Sequence, residues 1–81
     1  MQLIDRIGLK LRDQPLTLED LVNLINQGNG NYTRGEFKVE LNHLLASQMV
    51  TAKVIHNKDT YSLTKIGRRW AEGARDVRHT A

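Results

Sequence analysis

The residues with most chemical potential sit between Thr33 and Ala46. A helix there puts Gly35, Val39, Asn42, His43 and Ala46 on the side opposite Phe37, Leu41, Leu44 and Leu45, with Arg34 and Lys38 flanking and Glu36 at the margin. That outer side is small and weakly polar for a surface meant only to meet water. Asn42 can bond an adenine edge at two points, and Val39 can meet a thymine methyl. Arg34 and Lys38 can reach phosphates or guanine. Gly35 costs a helix about 1 kcal/mol relative to alanine, and its bare backbone allows close approach to another chain. Thr33, at the head of the helix, and His43 complete this set.

A second group of polar residues follows. Lys58, in the stretch His56, Asn57, Lys58 and Asp59, can neutralise a phosphate that Asp59 would oppose. Lys53 is a further backbone candidate. Arg68 and Arg69 open the last helix, where positive charge works against the helix dipole, and a phosphate contact would offset that cost.

Catalytic patterns are lacking. Gly30 and Gly35 have P-loop spacing, but Glu36 stands where a lysine must meet phosphate and no strand precedes them. His43, His56 and His79 lack ligand spacing, so neither metal nor cofactor is expected. Glu36 and Glu40 lie one helical turn apart with no cleft implied. Ser47 and Ser62 have no base in pattern. The expectation is a protein that is not an enzyme.

These residues need elements to position them. Leu3, Ile4, Ile7 and Leu11 mark one face of a first helix over about 2–13, and Pro15 forbids its continuation. Thr17 with Asp20 is a capping pair for a second helix, with Leu16 and Leu21 placed as a staple and Gly28 at its end. Thr33 with Glu36 repeats the signal, with Tyr32 and Phe37 as the staple, for a third helix over 34–47. Val50, Ala52 and Val54 alternate with Thr51, Lys53 and Ile55, and Tyr61 and Leu63 with Thr60 and Ser62. Two such runs around "HNKD" predict an antiparallel hairpin over 50–63. Thr64 caps a fourth helix with Ile66, Trp70, Ala74 and Val77 on one side. The predicted fold class is α+β, mostly α: three helices, a two-stranded hairpin and a C-terminal helix, in a single domain over 1–81.

Bulk composition agrees. The 81 residues carry a net charge of +3, unevenly placed: residues 1–32 hold three basic and four acidic side chains, residues 33–81 nine and five. The positive half is the half with the third helix and hairpin. There is no cysteine, which removes disulfides and thiol chemistry. No apolar run or signal peptide is apparent, so a cytoplasmic protein is expected.

Across essentially its whole length the chain resembles the winged helix-turn-helix of bacterial and phage transcriptional regulators. "FKVELNHLLASQMVTAKV" carries the Leu41-x-x-Leu44 pair before a strand, and "TYSLTKIGRRWAEG" carries Tyr61-x-Leu63-Thr64-x-x-Gly67. One departure stands out. The family's usual glycine before the first wing strand is Gln48 here, and a left-handed backbone would strain glutamine, so a different local turn is expected. The resemblance implies double-stranded DNA as partner, with the helix over 34–47 in the major groove and the wing on the backbone. It fits a small transcription regulator of phage or plasmid accessory type. A homodimer is expected through the first helix, where Leu9 faces away from the core, or through Ile66, Trp70, Ala74 and Val77. The rival is a protein-interaction module that uses the face with Gly35, Val39 and Ala46. RNA binding through the basic half is a third reading.

Overall fold

Pro15 sets the first turn. It sends Gln14 into extended backbone (φ −166°, ψ 157°) and ends α1, Leu3–Asp13. The computed structural model describes residues 2–28 and 30–80, with side chains through Gly73. The order is α1, β1 (Leu16–Thr17), α2 (Leu18–Gly28), α3 (Arg34–Ala46), β2 (Val50–Ile55), β3 (Lys58–Leu63) and α4 (Lys65–Thr80). All four predicted helices are present, the first three within a residue or two of their expected ends and the fourth starting directly after Thr64.

The caps form as their spacing requires. Asp20 N–H donates to Thr17 Oγ1 at 3.2 Å and Thr17 N–H to Asp20 Oδ2 at 3.4 Å. Glu36 N–H donates to Thr33 Oγ1 at 3.2 Å, and Glu36 Oε1 accepts from Thr33 N–H at 3.1 Å. Tyr32 meets Phe37 edge-on, with ring centroids 6.1 Å apart. The turn between α2 and α3 has a further brace. Asn26 Nδ2 donates to Tyr32 O at 3.0 Å, and Tyr32 N–H donates to Asn26 Oδ1 at 3.1 Å. One carboxamide thus satisfies both backbone groups of the residue leading into α3.

The antiparallel hairpin expected over 50–63 forms, as β2 and β3, and a third strand joins it. The sheet order is β1-β3-β2, all antiparallel, with Leu16 opposite Tyr61 and Thr17 opposite Thr60. A two-residue strand has no alternation to read, so β1 left no pattern. The hairpin tip is also tighter than expected. The strands run to Ile55 and resume at Lys58, so the turn is His56-Asn57 alone, with φ of 51° and 62°. Two successive left-handed residues are what a two-residue hairpin turn needs to match strand twist. Lys58 therefore belongs to a strand. The alternation of β2 overstated its burial: only Val50 is buried, while Val54 is 70% exposed. Beyond its base, the wing stands clear of the core.

The Gln48 turn is the reverse of what its side chain suggested. Gln48 adopts φ 62° after all. Its N–H donates to Leu45 O at 3.1 Å, and Met49 N–H donates to Leu44 O at 3.0 Å. That pair of bonds is the Schellman end of a helix, with Met49 half-buried against the core. The satisfied carbonyls of α3 outweigh the strain in glutamine. Ser47 assists, its Oγ donating to His43 O at 2.9 Å.

The core joins all layers. Leu3, Ile7 and Leu11 of α1 meet Leu16, Leu21, Ile25, Phe37, Leu41, Leu44, Val50, Leu63 and Ala71. Among the described residues no polar or charged side chain is buried. Helix α4 lies on α1, with the Trp70 ring so close that a Cβ on Gly8 would meet it at 2.3 Å. Its start is pinned to the end of α3. Thr64 Oγ1 donates to Gln48 O at 2.6 Å and accepts from Gly67 N–H at 3.1 Å, while Thr64 N–H donates to Met49 O at 3.0 Å. A Cβ on Gly67 would lie 1.8 Å from Met49 O. The Thr-x-x-Gly pattern is thus a cap followed by a close backbone approach.

Candidate nucleic-acid interface

Two caps and one strand register converge on a groove of about 400 Å³. The start of α2 supplies Thr17, Leu18 and Glu19; α3 supplies Arg34, Lys38, Leu41 and Asn42; β3 supplies Lys58, Asp59 and Tyr61. Four residues singled out from sequence, Arg34, Lys38, Asn42 and Lys58, thus come together from two elements. The lining holds three cationic and two anionic side chains, so its balance is positive. Arg34, the first residue of α3, is placed against the helix dipole.

The exposed half of α3 is divided. On its other flank a concavity of about 500 Å³ is lined by Leu3, Thr33, Gly35, Glu36, Val39 and Glu40. Val39 is 51% exposed. A Cβ on Gly35 would meet nothing nearer than Thr33 Oγ1 at 3.8 Å, so nothing inside the fold requires glycine there. Basic and amide groups face the wing groove, while small and acidic groups face α1.

The remaining sequence candidates lie outside both hollows. His43 is exposed on α3, and Lys53 is exposed on β2 opposite Thr60. Arg68 and Arg69 are exposed in the first turn of α4 and line neither. Of the dimer candidates, Leu9 is half-buried, Ile66 is 53% exposed and Trp70 packs against Gly8; the side chains of Ala74 and Val77 lie outside the described residues.

Sequence reasoning missed Glu19 and Tyr61. Glu19 Oε2 lies 4.0 Å from Lys58 Nζ. Tyr61 is half-buried, and its phenol is raised above the usual value, first by burial and second by the charge of Asp59. It is a neutral hydroxyl at physiological pH. Only the pairing of β1 with β3 brings Tyr61 beside the start of α2, and that pairing had no local signal.

Among the described residues, no group of three His, Cys, Asp or Glu side chains is placed to hold a metal ion. Nor is any helix among them long and apolar enough to cross a membrane. No protein-family model matches the chain. No curated protein matches it in sequence. A solved structure does match in shape: the adhesin competence repressor AdcR of Streptococcus pyogenes, at a TM-score of 0.82 and 16% identity. The match covers 99% of this chain and 58% of the repressor's, so this chain spans little more than half of that protein's length. At that level of identity the likeness concerns architecture, and with the helix order, the three-stranded sheet and the projecting hairpin it makes the fold a winged helix.

Proposed function

We propose that this chain binds double-stranded DNA sequence-specifically and acts as a small transcriptional regulator, with α3 in the major groove and the wing on the backbone. One observation carries the reading: the groove that gathers Arg34, Lys38 and Asn42 of α3 with Lys58 of the wing. A helix of 13 residues is about 20 Å long and fits a groove about 12 Å wide. Arg34, Lys38 and Lys58 serve phosphates, and Asn42 serves a base edge. The shared architecture with a protein named as a repressor favours the same class of role. Regulation would proceed by occlusion or recruitment at a promoter in the cytoplasm. With so few phosphates per copy a monomer binds weakly, so a homodimer through α1 at Leu9 or through α4 belongs to this reading. Gly35, Val39, His43, Lys53, Arg68 and Arg69 are secondary contacts.

A duplex-binding titration at two salt concentrations tests it, with Asn42→Ala and Lys58→Ala beside the parent. Affinity should fall steeply as salt rises. Asn42→Ala should reduce discrimination between sequences, whereas Lys58→Ala should weaken all duplexes alike. No binding at low salt sinks the reading. The second hollow favours a rival in that case. Leu3, Gly35 and Val39 with two glutamates suit an apolar, cationic protein segment better than a phosphate.

A further inference from the structure

Glu19 reaches across the mouth of the groove. Its Oε2 lies 4.0 Å from Lys58 Nζ, with the two side chains 59% and 64% exposed. Among the described residues this is the only ion pair that joins two separate elements; the other links neighbours Arg12 and Asp13. Both ends are held by backbone. Lys58 pairs with Ile55 beside the tight turn, and Glu19 lies in the first turn of α2 behind the Thr17 cap. We infer that Glu19 is an internal stand-in for phosphate: its carboxylate occupies Lys58 in the free protein and is displaced when a duplex backbone enters the groove. The inference rests on the DNA reading above.

The exchange has a signature. A lysine that merely trades a carboxylate for a phosphate releases no net counterion, because the freed Glu19 gathers a cation in its turn. Removing the carboxylate leaves no group to take up a cation, so the one that the phosphate sheds on meeting Lys58 is released in full, which steepens the dependence of log K on log salt by about 0.9. An exposed pair of this kind shifts an equilibrium about 1.5- to 5-fold. Glu19→Gln should therefore tighten binding to a duplex of arbitrary sequence about threefold at low salt, with the gain shrinking as salt rises. Asp59 stays in the groove in either protein and does not contribute to the difference.

The experiment is a double-mutant cycle on a random-sequence duplex, at about 0.05 and 0.2 M salt, with the parent, Glu19→Gln, Lys58→Gln and the double variant. The expected result is tighter binding and a steeper salt slope for Glu19→Gln, both lost when Lys58 is also replaced. Equal tightening with and without Lys58 would mean general charge repulsion and overturns the inference, as does no change in either quantity; the DNA reading then still stands on the parent's binding. A parent that binds no duplex at low salt removes the DNA reading and the inference with it. Both positions are exposed, and a melting curve for each variant keeps a folding defect from being read as a binding effect.

Discussion

Replacing Gln48 with glycine should stabilise the protein. Gln48 closes α3 at φ 62°, where an L-residue pays about 1–2 kcal/mol. Glycine pays nothing there, but its unfolded chain is freer by about 0.5–1 kcal/mol. The difference leaves a gain of about 0.5–1 kcal/mol. Little is lost in exchange, because the Gln48 side chain is exposed and the bonds at this turn come from its backbone: N–H to Leu45 O, and O from Thr64 Oγ1. For a domain of this size the gain raises Tm by roughly 2–8 °C. Urea unfolding followed by circular dichroism checks it, and the midpoint should rise with an unchanged slope. Gln48→Val, β-branched at a positive φ, should move the midpoint the other way. A glycine variant that is no more stable than the parent refutes the reasoning, because the left-handed strain or the idleness of the side chain would then be wrong.

Gly67→Ala should cost about 3 kcal/mol or more, read by the same melts, since its Cβ would lie 1.8 Å from Met49 O and overpacking alone costs about 1–3 kcal/mol. Gly35→Ala should raise stability by up to about 1 kcal/mol, because that Cβ meets open space; a simultaneous loss of duplex affinity would identify Gly35 as a place of close approach. Asn26→Ala should destabilise by about 1–3 kcal/mol by stripping Tyr32 of both partners, measurable as a lower urea midpoint. The raised Tyr61 phenol contributes stability that is complete below about pH 10 and is lost as pH rises through its folded value, so Tyr61→Phe should reduce the alkaline loss seen in melts above about pH 10.

What the sequence made legible was local. Thr17 with Asp20, Thr33 with Glu36, and Thr64 with Gly67 each act over three residues, and each cap formed. The apolar spacing of α3 likewise put Phe37, Leu41 and Leu44 inside. The failures are non-local. β1 is too short to alternate and exists only because Tyr61 and Thr60 come beside it. Val54 alternates like a half-buried residue, yet the wing has outrun the core that would cover it. The site was half legible for the same reason. Arg34, Lys38 and Asn42 share one helix, but Glu19 meets Lys58 only through the folded sheet. At Gln48 a residue preference lost to the hydrogen bonding of a helix end.

The seam made by Thr64, Gly67 and Met49 has a mechanical consequence. It welds the start of α4 to the end of α3 and the root of the wing through two hydrogen bonds, from Thr64 to Gln48 O and to Met49 O, and a backbone too close for any side chain. A 16-residue helix, about 24 Å long, starts at that weld and lies along α1, an arm fixed to the end of α3. Any attachment made along the arm dictates the pose of α3 instead of merely tethering it. If two copies join through their arms, the distance between their α3 helices becomes a property of the joint, and changing the packing there retunes the permitted separation of two binding sites without altering a residue that touches either one.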